Sequence, residues 1–295
     1  MRLYYYKTPA GNFGDDLNQW LWRQLFPIPI EQCFDDETLF LGIGSILNSE
    51  IPEYPPKKII FGTGYGYGSL PSVTDAWRFI CVRGPLTAQA LELPPSAAIC
   101  DSALLVRELV EPARSAEHKI AFMPHHRMIN ADDWQSVCES LDICYIDPAA
   151  PIQNILDKIR SSELVISESL HGAIMADAFR VPWIPVRTNS FILEFKWQDW
   201  CASIQLEHNF EWLPSIAIET DSDFKRRHRG LARFGRGRMR RSYSIALARS
   251  RLRWLARFGK RRLSSEVVFQ QVYARLYDTF GKLVEQVIQT QAVKN

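Results

Sequence analysis

The chain has 295 residues, 46% of them hydrophobic and 23% charged, an ordinary balance for a soluble globular protein long enough for two cores. No apolar run approaches the ~20 residues needed to cross a bilayer, and the opening MRLYYYKTPAGNFGDD lacks the apolar centre of a secretion signal. The net charge of +2 hides a division: sixteen of the 35 Lys and Arg lie between Lys225 and Arg262, where no acidic residue occurs, so the remainder is acidic.

In chain order, residues 2–6 (RLYYY) form a β-prone run ending at the turn GNFGDDLN. Asp15 or Asp16 is placed to cap a helix carrying Leu17, Trp20, Leu21 and Leu25 at helical spacing. LFLGIGSIL (39–47) and KKIIFGTGYGYG (57–68) are apolar strands that end in glycine-rich corners. WRFICVRGPLTAQALEL (77–93) reads as strand, turn and helix, with Arg83 and Gly84 at the turn and Pro85 suited to the first helical position. AAICDSALL (97–105) closes this unit, and VEPARSAEHK (110–119) is a linker.

The alternation then resumes. KIAFMPHH (119–126) is a strand ending in His125 and His126, WQSVCESL a helix, DICYID (142–147) a strand and PIQNILDKIRSSE (151–163) a helix. LVISESLHGAIMADAFRVPWIPVR (164–187) supplies two strands around a small-residue helix. Such alternation predicts parallel sheets with right-handed crossovers. The expected fold is α/β: two Rossmann-like domains, 1–112 and 113–215, facing a cleft. A basic amphipathic segment (216–263) and a C-terminal helix (264–295) follow, the helix expected to pack its apolar stripe on a domain or on a partner.

Within 225–262, Ile245, Ala248, Leu252, Leu255 and Phe258 form a helical stripe among arginines, the pattern of an anchor on an anionic membrane surface. A solvated basic segment fits the same pattern, and sequence-specific nucleic-acid binding has no reader module to support it. Six scattered cysteines without a CxxC pair read as buried free thiols, fitting a reducing cytoplasm and offering no zinc site.

Glycine-rich corners beyond strand ends present open backbone N–H groups that suit an anionic ligand, although any one of them reads equally well as a turn. His171, at the mouth of a helix, fits a hydrogen-bonded core residue as well as a catalytic one. The ordered set GNFGDDLN, LGIGSIL, FGTGYG, VRGPLTAQAL, CDSALL, MPHH and SESLHGAIMADAFRVPW resembles the polysaccharide pyruvyl transferase family over about residues 1–215.

That resemblance implies a GT-B-like fold and phosphoenolpyruvate as donor substrate, with no further cofactor, and nothing in the sequence demands a metal. It implies a pyruvate ketal formed on two hydroxyls of a sugar in a bacterial exopolysaccharide repeat, with phosphate released. The acceptor would be a lipid-linked oligosaccharide, and the protein peripheral at the cytoplasmic face of the membrane. The family's histidine falls on His171, the acid/base candidate, and its turn arginine on Arg83, the donor-holding candidate. Many members carry Arg where this chain has Ser169, so Arg187 or Lys196 is expected to replace that cation. His125 is a candidate for the phosphate, and Asn12, Asp15 and Asp16 for the acceptor side, with Asp15 as a second catalytic candidate. Two other classes share these features: a GT-B glycosyltransferase using a nucleotide sugar, and a catalytically silent sugar-binding or scaffold protein of polysaccharide export.

Overall fold

The computed structural model describes residues 1–128, 133–216 and 234–294. Strands β1 (Arg2–Tyr4), β2 (Thr38–Leu41), β3 (Lys57–Phe61) and β4 (Trp77–Cys81) form a parallel sheet in sequential order. β2 is buried throughout, as a parallel strand covered on both faces must be. Helix α1 (Phe13–Leu25) follows β1, and α2 (Pro85–Ala90) follows β4 with Pro85 at its first turn, where its missing N–H costs nothing.

A second parallel sheet contains β5 (Ala121–Met123), β6 (Cys144–Tyr145), β7 (Val165–Ser167), β8 (Trp183–Arg187) and β9 (Glu211–Trp212) in the order β6-β5-β7-β8-β9. Between successive strands run α3 (Asp133–Glu139), α4 (Ile152–Arg160), α5 (Leu170–Ala178) and α6 (Glu194–Ser203). The chain leaves β5 for one neighbour and returns for the other, so β5 and β7 flank a topological switch point. Ligands of doubly wound sheets bind in the crevice at that point. His125 follows β5 there, and His171 lies in the first turn of α5 after β7.

The cap of α1 differs from expectation. Asn12 is the N-cap, without a side-chain cap bond, while the Asp16 carboxylate reaches back to accept from Asn12 N at 2.8 Å. Five of the six cysteines are buried and Cys144 is half-buried.

The last two helices divide their work. In α7 (Phe234–Phe258), Ala248, Leu252 and Leu255 are buried against the second sheet and α3. The apolar stripe expected to meet a membrane therefore faces the protein, apart from exposed Phe258. Residues 225–233 of the basic stretch lie outside the described residues, and its last arginine, Arg262, is buried and donates to Asn209 O at 2.7 Å. Helix α8 (Glu266–Lys294) returns to the first sheet, setting Phe280 at 5.3 Å from Phe26 and 5.6 Å from Phe61. Among the described residues, no helix is long and apolar enough to cross a membrane.

Candidate active site

The switch-point corner is built from both sheets. Ser169 caps α5, its Oγ accepting from Gly172 N at 3.4 Å, and this starts the helix so that His171 lies in its first turn. The imidazole rests on the backbone of α1: a Cβ at Gly14 would fall 2.0 Å from His171 Nδ1. Only glycine leaves room for the ring. Its far side meets Asp101, with Nε2 3.7 Å from Oδ2. Both atoms are buried and neither has a hydrogen-bond partner among the described residues. Asp101 is held by its other oxygen, which accepts from Ala103 N at 3.0 Å.

An unpartnered buried carboxylate oxygen and imidazole nitrogen are costly. Each keeps a lone pair or proton available to something that enters the corner.

Asp15 lies on the same side. Asn12 Nδ2 donates to its Oδ2, and the His171 and Lys196 charges favour its ionised form. Burial outweighs these and pushes its pKa up to about 6. A carboxyl so tuned exchanges protons near neutrality.

Lys196, on α6, is buried and donates to Tyr67 Oη at 3.1 Å. Its ammonium acts electrostatically on Asp15, Glu168, His125 and His126. Burial, with the Lys196 cation, holds His125 far below an ordinary histidine and His126 down at about 4; both are neutral at physiological pH. The rings stand 4.2 Å apart. Behind them Glu168 ties the corners together, accepting from His125 N at 3.1 Å and from Thr188 N at 2.7 Å.

The other sequence-derived candidates sit differently. Arg83 is fully buried: it donates to Asp199 Oδ2 at 3.0 Å, Ser45 Oγ at 2.6 Å and Tyr65 O at 2.7 Å. Asp199 also accepts from Thr87 N at 2.9 Å and Thr87 Oγ1 at 2.6 Å. Arg83 thus bolts α6 to the start of α2, and the same helix carries Lys196 one turn earlier. Arg187 pairs with Glu194 at 3.5 Å and lies over Phe210 at 5.3 Å.

Asn12, Asp15 and His171 therefore meet at helix α1, and Lys196 acts electrostatically on Asp15 and His125, while Ser169 and Arg83 act from behind and Arg187 lies to one side. Sequence reasoning missed Asp101, Asp199 and Tyr67. Asp101 had one signal, an acidic residue closing the apolar run AAIC at a strand-end corner. No group of three or more His, Cys, Asp or Glu side chains is arranged to hold a metal ion among the described residues.

Two parallel sheets, with a histidine, two carboxylates and a buried lysine near the corner between them, define an α/β protein of doubly wound type. The polysaccharide pyruvyl transferase family model matches residues 12–190, and the chain belongs to that family. It is also 40% identical over 217 residues to the succinoglycan biosynthesis protein ExoV of Rhizobium meliloti (strain 1021), covering 72% of this chain and 68% of that protein.

Proposed function

We propose that the protein transfers pyruvyl from phosphoenolpyruvate onto two hydroxyls of one sugar in an exopolysaccharide repeat, forming a ketal and releasing phosphate. The observation that carries this reading is the His171–Asp101 pair, whose facing atoms are buried and unpartnered beside the tunable Asp15.

In this chemistry the first hydroxyl adds to C2 of the donor while a proton goes to its methylene carbon. Phosphate then leaves with the C–O electron pair, and the second hydroxyl closes the ketal, its proton going to the departing phosphate. Two hydroxyl protons are thus accounted for, one on the new methyl group and one on phosphate. His171 moves a proton at Nε2, and Asp101 orients the ring and stabilises its cationic form. Asp15 takes the acceptor hydroxyl's proton, with Asn12 and Asp16 shaping the acceptor side. Lys196, the cation expected to take over from an arginine at the Ser169 position, neutralises the donor's phosphate or carboxylate, and neutral His125 and His126 offer N–H donors to the phosphate. Charge stabilisation of this kind is strongest in a site from which water is excluded. Arg83 positions α6, and through it Lys196, instead of touching the donor.

The residue ranges 1–112 and 113–215 serve as acceptor and donor sides in this scheme, and a lipid-linked oligosaccharide is the acceptor. The test is phosphate release from phosphoenolpyruvate, with and without lipid-linked oligosaccharide, for wild type and His171→Ala. Acceptor-dependent release that is lost in a folded variant supports the proposal. Full activity in His171→Ala, or turnover of a nucleotide sugar in place of phosphoenolpyruvate, refutes it.

A further inference from the structure

The stripe of α7 that the sequence offers to a membrane is packed inward, which leaves the opposite half of the helix to solvent. That half carries two rows. Arg249, Arg253 and Arg257 recur every four residues, all exposed. Beside them Tyr243 (70% exposed), Leu247, Trp254 (44%) and Phe258 (62%) form a second row, which extends over ~22 Å of helix. Trp212 on β9, 57% exposed, extends the aromatic row sideways. Arg251 joins the two elements: its Nε donates to Trp212 O at 3.0 Å and its guanidinium lies 4.2 Å over the Trp254 ring.

We propose that this outward face of α7, with Trp212, lies on an anionic lipid surface. Three features favour lipid over other occupants. The buried face fixes the helix on the second sheet, so the exposed face is presented as one rigid ridge. Aromatic rings beside guanidinium groups match the interfacial zone of a bilayer, where amphipathic rings settle and long basic side chains reach headgroup phosphates. The exposed residues lie on the outer side of a single helix, whereas single-stranded nucleic acid is held in a basic groove.

Flotation of the full chain tests this with vesicles of phosphatidylcholine alone and of phosphatidylcholine containing phosphatidylglycerol. Binding is expected to the anionic vesicles only and to weaken with salt. Arg249→Gln/Arg253→Gln/Arg257→Gln should lower partitioning about a hundredfold, from about fivefold per arginine. Trp254→Ser/Phe258→Ser should lower it about tenfold or more by removing buried apolar area. Unfolding transitions matching wild type establish that the variants are folded, since every substituted side chain is exposed. Equal binding to both vesicle types, anionic binding unchanged in the arginine variant, or capture of RNA without vesicle binding overturns the proposal. The assay needs no turnover, so it stands or falls independently of pyruvyl transfer.

Discussion

Replacing Asp15 by Asn keeps the shape of the side chain and an oxygen for Asn12, but removes a carboxyl whose pKa burial raises from 3.8 to about 6. The folded state therefore holds this proton more tightly than the unfolded chain does. The resulting stabilisation is complete below pH ~4 and is lost as the pH rises through about 6. A shift of about two units corresponds to ~3 kcal/mol. Wild type should thus lose ~3 kcal/mol relative to Asp15→Asn between pH ~4 and pH ~7, leaving the variant the more stable protein at neutrality. Urea unfolding of both proteins, followed by tryptophan fluorescence across that range, reads the difference directly. Phosphate release from phosphoenolpyruvate should meanwhile fall by roughly 10²–10⁴. A stability difference that does not change with pH, or a variant that loses ground as pH rises, would refute the reasoning that burial is the dominant influence on this group.

Asp101→Asn keeps the oxygen that accepts from Ala103 N but removes the charge facing His171, so kcat should fall about 10²-fold or more with KM for phosphoenolpyruvate and the thermal midpoint little changed; steady-state kinetics beside a melting curve separate orientation from folding. Ser169→Arg supplies the cation expected at this position from the family resemblance but deletes the cap of α5, costing about 1 kcal/mol. If Lys196 already serves the donor, KM for phosphoenolpyruvate should not improve, and a tenfold drop in KM would refute the Lys196 assignment. Phe280→Ala empties a site packed against Trp22, Phe26 and Phe61 and should destabilise the protein by about 3–5 kcal/mol in urea unfolding.

The strand and helix alternation was legible because parallel strands covered on both faces are apolar runs, and because glycine and proline mark where each run must turn. His171 and the Asn12–Asp16 corner were legible as candidates for the same reason, each standing at a strand end or helix start, whereas Lys196 was named only as a cation to replace the arginine expected at Ser169. What those residues meet was not. Nothing near Asp101 in sequence tells that its free oxygen faces an imidazole seventy residues later in the other half of the chain. Arg83 reads as a donor clamp until Asp199 is found filling its fork, a contact set by how α6 crosses α2. Helix α7 carries two apolar rows, and periodicity counts rows without saying which one faces the protein. Burial of Ala248, Leu252 and Leu255 settles that.

Helix α8 completes the core of a sheet made almost entirely from the first third of the chain. Arg78 and Gln286, which hydrogen-bond across this junction, are 208 residues apart. At a synthesis rate of about 5–20 residues per second, the first sheet waits roughly 10–40 s for the helix that covers Trp22, Phe26 and Phe61. During that interval its aromatic face is open to whatever else is nearby, while the second sheet emerges with most of its own crossover helices already in hand. The half made first is thus the half finished last, and a ribosome-bound chain should depend on chaperone cover for its earliest residues.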